Sequence, residues 1–123
     1  MIRGVRGAIT VNSNTEEEII SATEELLAKV IELNQISPDS VASAFISTTA
    51  DINATFPAKA MRKFEGWTYV PVMCMREIPV PNSLKMCIRI MMHVNTNKLQ
   101  EDIVHVYLRD AIALRPDLGK KER

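Results

Sequence analysis

The strongest pattern along the chain is an apolar run, Met86-Cys87-Ile88-Arg89-Ile90-Met91-Met92-His93-Val94, interrupted by one guanidinium. Strand alternation puts Ile88, Ile90, Met92 and Val94 on one face and Cys87, Arg89, Met91 and His93 on the other. The run therefore predicts a strand that is apolar on both faces, with Arg89 aimed at a pocket wall. Residues 2–11 predict a first strand, in which Gly4 and Gly7 permit close backbone approach or a bulge. Thr15-Glu16-Glu17-Glu18 then has the form of a capping box with acids at the positive end of a helix dipole. Ile19, Leu26, Leu27, Val30 and Ile31 continue it at helical spacing to about Asn34.

Ser37-Pro38 predicts a short helical turn, and residues 43–49 a second strand. After a loop over 51–55, Pro57 opens a short basic helix, Ala58 to Phe64, which Gly66 closes. Trp67 to Glu77 read as a third strand, paired with the Arg89 strand as a hairpin across the turn-rich segment 79–83. Leu99, Ile103, Val106 and Tyr107 keep helical spacing, which predicts a helix over 98–108 and then a last strand over 111–114. The expected fold is α/β: one domain over residues 1–118 with a mixed sheet and two or three helices, then a polar tail at 119–123. So few helices cover only one face of a sheet, so the second apolar face of the Arg89 strand has to meet another subunit.

Composition narrows the function. The 123 residues suit a single domain, and 15 Lys plus Arg against 15 Asp plus Glu leave no field to hold a nucleic-acid backbone or an anionic membrane. Arginines stand where a signal peptide needs its apolar segment and no run reaches membrane-spanning length, which predicts a cytoplasmic protein. Cys74 and Cys87 fit neither a disulfide framework nor a zinc site, and His93 and His105 have no second ligand near in sequence. No metal or cofactor is expected.

Arg89 cannot shed its charge and needs an anion. Glu77, at the end of the third strand, serves either as a structural counter-ion or as a second wall of a ligand pocket. Arg6, Tyr107 and Arg115 would join that pocket, giving an excess of positive charge suited to a small polycarboxylate. There is no glycine-rich phosphate loop and no Gly-x-Ser-x-Gly, and Cys74 has no adjacent base in sequence. A reaction that needs only charge placement and a shaped cavity stays open.

Five ordered segments carry a resemblance. Ile2-Arg3-Gly4-Val5-Arg6-Gly7-Ala8, Phe56-Pro57-Ala58-Lys59-Ala60-Met61-Arg62, Gly66-Trp67-Thr68-Tyr69-Val70-Pro71-Val72, Cys87-Ile88-Arg89-Ile90-Met91-Met92, and His105-Val106-Tyr107-Leu108 with Leu114-Arg115-Pro116-Asp117 resemble the monofunctional chorismate mutases of the trimeric α/β type, not the all-helical type. The resemblance implies a homotrimer whose sheets form a central pseudo-α/β-barrel, with chorismate bound in clefts between subunits and no cofactor. It implies that Arg6, Cys74, Glu77, Arg89 and Tyr107 are the catalytic set. Val72, Met73, Leu114 and Arg115 line the same pocket, and Phe56, Ala58, Lys59 and Arg62 come from the neighbouring subunit. Met73 departs from the threonine usual in that family, and the tail after Asp117 is short. A non-catalytic trimeric carboxylate binder and a related imine-hydrolysing trimer are the alternatives; the joint presence of Arg6, Glu77, Arg89 and Tyr107 favours the mutase.

Overall fold

Alternating apolar side chains assemble one mixed five-stranded sheet in the computed structural model, which describes residues 1–115. The strands are β1 (Ile2–Thr10), β2 (Val41–Thr48), β3 (Val72–Arg76), β4 (Cys87–Asn95) and β5 (Val106–Leu108). Among the described residues one α-helix, α1 (Glu16–Asn34), is accompanied by 3-10 helices over Pro57–Lys63 and Arg109–Leu114 and by single 3-10 turns at Pro38–Ser40 and Gln100–Asp102. Across the sheet the order is β3-β2-β4-β1-β5. β4 runs antiparallel to both β1 and β2, whereas β3 is parallel to β2 and β5 parallel to β1.

α1 begins where the acidic capping motif places it: the Thr15 hydroxyl accepts from the Glu18 amide at 3.2 Å. Its buried stripe, Ile19, Ala22, Thr23, Leu26, Leu27 and Val30, lies on the sheet face formed by Val5, Ile9, Ile46, Ile88, Ile90 and Met92. Ala60, Met61 and Trp67 complete the same core. The opposite face carries Ile2, Arg6, Ala8, Phe45, Ser47, Met73, Met75, Arg89 and Met91, placed together by the pairing register. Among the described residues the 109–114 helix packs there, its Ala111 with Ala8, Cys87 and Tyr107, and Leu84 and Leu114 beside them.

Three expectations about the second half of the chain are corrected. The third strand is short and is not a hairpin partner of the Arg89 strand; β2 lies between them. The turn bonds Val70 N–H to Trp67 C=O and Trp67 N–H to Phe64 C=O keep residues 67–70 out of the ladder, and Pro71, which has no N–H to give, joins it through its carbonyl, which accepts from the Ala44 N–H at 2.9 Å. The ten residues from Glu77 to Met86 also exceed a tight hairpin loop, so β4 takes the sheet centre with two neighbours. The helix expected over 98–108 is a 3-10 turn followed by β5. Val106 packs on the α1 side and Tyr107 on the other, a two-residue period that the apparent helical spacing concealed. Finally, residues 109–114 form a 3-10 helix, not a strand. The expected polar tail at 119–123 lies outside the described residues.

Gly7 shows how tightly α1 sits. A β-carbon there would lie 3.0 Å from Cδ1 of Leu26, 3.1 Å from the Val106 carbonyl oxygen and 3.2 Å from Cγ2 of Ile90. Because one of these neighbours is backbone in the β1–β5 ladder, the strain cannot be relieved by a side-chain turn. Gly7→Ala is expected to cost about 1 to 3 kcal/mol of stability, measured by denaturant midpoint at unchanged slope.

Candidate active site

The face of the sheet away from α1 holds a cavity of about 400 Å³. Arg89 rises from β4, the central strand of the sheet, with Ser47 opposite it on β2 and Ala8 opposite it on β1. Met75 follows in the same row beyond Ser47, and Tyr107 beyond Ala8. Arg6 enters from β1, one residue pair along, and its backbone N–H donates to Nδ1 of His105 at 3.0 Å, which registers the start of β5. Leu114 and Arg115 reach the cavity from the end of the 109–114 helix.

That helix is fastened at its first residue. Arg109 adopts φ 55°, and its guanidinium donates to the Thr10 carbonyl at 3.0 Å, to Glu18 at 2.9 Å and to Glu25 at 3.0 Å. Although burial acts against the charge, the two carboxylates outweigh it and raise the Arg109 pKa further. The cavity wall contributed by residues 109–115 is thereby tied to both α1 and β1.

Glu77 lies just past β3, where its backbone N–H donates to the Thr48 carbonyl at 2.9 Å. One carboxylate oxygen, Oε2, accepts from the Ser47 hydroxyl. The other, Oε1, faces Nη1 of Arg89 at 3.7 Å. This is longer than the ~2.7–2.9 Å of a closed, charge-assisted hydrogen bond. The Arg89 side chain keeps 46% of its accessibility, so it is not sealed into a buried ion pair. Among the described residues that line the cavity, Arg6, Arg89 and Arg115 stand with the one carboxylate of Glu77, a lining suited to an anionic carboxylate ligand.

Of the residues singled out in the sequence, Arg6, Glu77, Arg89, Tyr107, Leu114 and Arg115 line this one cavity. Met73 lies on the same face, opposite Phe45, and is largely exposed. Cys74 pairs with Ile46 and faces the α1 side, so alternation separates it from Glu77. It borders a second hollow with Phe56, Asn53 and Arg76. Val72 begins β3 at the sheet edge. Phe56 is exposed, Ala58 packs on the main core, Arg62 is exposed, and Lys59 pairs with Glu16 at 2.7 Å. The protomer therefore does not bring the 56–62 segment to the Arg89 cavity. Sequence reasoning missed Ser47, Phe45 and Met75 as cavity residues, because only the pairing register puts them beside Arg89, whereas Met91 follows from the alternation of β4.

Cys87 lies under the Arg89 row, buried with Ala8, Tyr107 and Ala111. Burial pushes its thiol up from 9.0 to about 11, more than the adjacent Arg89 lowers it. A thiol whose folded value exceeds its unfolded value stabilises fully below the unfolded value, and that contribution disappears as pH rises through the folded one. Stability is thus expected to fall between pH 9 and 11. Cys87→Ala should flatten that part of a melting-temperature profile. Among the described residues no group of three or more His, Cys, Asp or Glu side chains is placed to hold a metal ion, and no helix is long and apolar enough to cross a membrane.

The α/β domain that carries this pocket of arginines and one carboxylate is an isomerase of the chorismate mutase class. The profile of the family chorismate mutase type I matches residues 2–118, and the chain belongs to that family. It is 53% identical over 119 residues to the chorismate mutase AroH of Bacillus subtilis (strain 168), covering 97% of this chain and 94% of the relative. To the chorismate mutase AroH of Thermus thermophilus it is 47% identical over 119 residues, covering 96% and 97% of the two chains. The solved structure of a chorismate mutase from Clostridium thermocellum superimposes with a TM-score of 0.86 at 48% identity, covering 89% of this chain and 97% of that one.

Proposed function

We propose that the Arg89 cavity is where this chorismate mutase converts chorismate to prephenate, by intramolecular rearrangement without a covalent intermediate. The carrying observation is the half-exposed Arg89 guanidinium, held 3.7 Å from Glu77 within a cavity that Arg6 and Tyr107 also line. The ether C–O bond breaks while the new C–C bond forms, so negative charge grows on the ether oxygen. Arg89 donates to that oxygen, and fixed donors aimed at developing charge act only where the transition state needs them. Arg6 and Tyr107 hold carboxylate and fix the folded conformer from which the bonds exchange. Glu77 accepts the ring hydroxyl and faces the electron-poor ring. Arg115 covers the dianion at the rim with Leu114 beside it.

The assembly is a homotrimer in which the open sheet faces form a central pseudo-barrel. Exposed Ile2, Met73 and Met75 on the face opposite α1 support it, since monomers rarely leave such a patch in water. In that assembly Phe56, Ala58, Lys59 and Arg62 of one subunit complete the cavity of the next, and Val72, Met73 and Cys74 border the seam. The enzyme works in the cytoplasm, in aromatic amino-acid biosynthesis, with neither nucleic acid nor membrane as partner. Purified protein should consume chorismate absorbance and yield prephenate with no cofactor and with chelator present. Absence of turnover would overturn the catalytic reading in favour of a carboxylate-binding module. Full activity at a monomeric mass in sedimentation would overturn the shared site.

A further inference from the structure

Ser47 stands on β2, opposite Arg89 in the β2–β4 ladder, and β2 is the strand that separates Glu77's strand from Arg89's. The two charged residues are therefore rooted two strands apart, a backbone separation of roughly 9 to 10 Å. They meet only by leaning over β2, and a small residue at position 47 leaves them the room. Its hydroxyl bonds Oε2 of Glu77 while Oε1 stays 3.7 Å from Arg89. We propose that Ser47 is a positioning residue: its hydroxyl tethers the Glu77 carboxylate short of a closed ion pair with Arg89, keeping the guanidinium's donors free for the substrate. The inference rests on the reading of this cavity as the active site.

Released from Ser47, the carboxylate collapses onto Arg89 and occupies N–H groups that the rearrangement needs. Demand for those donors peaks in the transition state, so the loss falls on kcat more than on KM. The test measures kcat, KM and melting temperature for Ser47→Ala, Ser47→Thr, Ser47→Val, Glu77→Gln and the Ser47→Ala/Glu77→Gln pair. Ser47→Ala should lower kcat about tenfold, near the net worth of one charge-assisted hydrogen bond, with KM within about threefold. Thr and Val share a shape and differ in the hydroxyl, so Thr should recover most of the rate and Val should not.

In the Glu77→Gln background, where no closed ion pair can form, removing the hydroxyl should change kcat by about twofold or less. A purely structural serine would instead give equal losses in both backgrounds. Such additivity, a wild-type kcat in Ser47→Ala, or a Val variant as fast as Thr would overturn the tether and leave the active-site reading standing. If Glu77→Gln and Arg89→Lys themselves turn over normally, the site reading falls and the tether falls with it.

Discussion

Arg89→Lys is expected to lower kcat by about a hundredfold or more while leaving the assembly and the melting temperature close to the parent's. The magnitude follows from fixed donors aimed at developing charge being worth roughly 3 to 4 kcal/mol each. A lysine keeps the charge but is a point ammonium on a single stem, and it cannot hold ether oxygen and carboxylate together as a planar fork does. Arg89 sits in the centre of the sheet between β1 and β2, yet its side chain is 46% accessible, so its replacement removes little packing. KM should move less than kcat, since the lost interaction strengthens as the C–O bond breaks. Kinetics and melting measured on one preparation decide the matter: a destabilised protein with near-parental kcat would make Arg89 structural and remove it from the mechanism.

The second large effect is a recovery. Lys59→Ala/Arg62→Ala and Arg89→Lys should each be nearly inactive alone, because each breaks every site in the proposed trimer from a different side. Mixed at equal amounts, unfolded and refolded together, they should regain roughly a quarter of parental activity, the fraction of random neighbour pairs in which both contributing halves are intact. Within one protomer the 56–62 segment borders a different hollow from the Arg89 cavity, with Lys59 engaged by Glu16. Both halves can therefore meet only across a subunit boundary. No recovery on mixing, with each variant folded and trimeric, would place Lys59 and Arg62 outside the site.

What the sequence disclosed follows the range of the forces involved. The β4 alternation, the α1 cap and stripe, and the proline-opened 57–63 segment are local patterns, and they appear where the residues predict them. The parity of β4 also put Arg89 on the correct face with Met91 and away from Ile90. Partner choice was not legible. Glu77 does reach Arg89, but across an intervening strand rather than within a hairpin, and Ser47 became visible only through that strand. The 98–114 region misled because Val106 and Tyr107 are both buried, on opposite faces of the sheet, so apolar spacing alone mimicked a helix. Cys74 shows the same limit: close to Glu77 in sequence, it faces the other way.

The strand order carries a consequence for how the molecule is made. β1 pairs with β4 and β5 alone, so Ile2 finds its partner at Asn95 and Gly7 at Val106. Arg6 and Arg89 share one cavity only after that closure. A chain emerging from the ribosome at about 5 to 20 residues per second leaves β1 without a sheet partner for on the order of ten seconds. During that time α1 has only β1 and whatever collapses around it to cover its apolar stripe. The closure joins the two ends of the domain at a high entropic cost, which makes the folding rate, more than the final stability, sensitive to changes in β1. The residues of the Arg89 cavity are thus brought together by sheet contacts that become available late in synthesis.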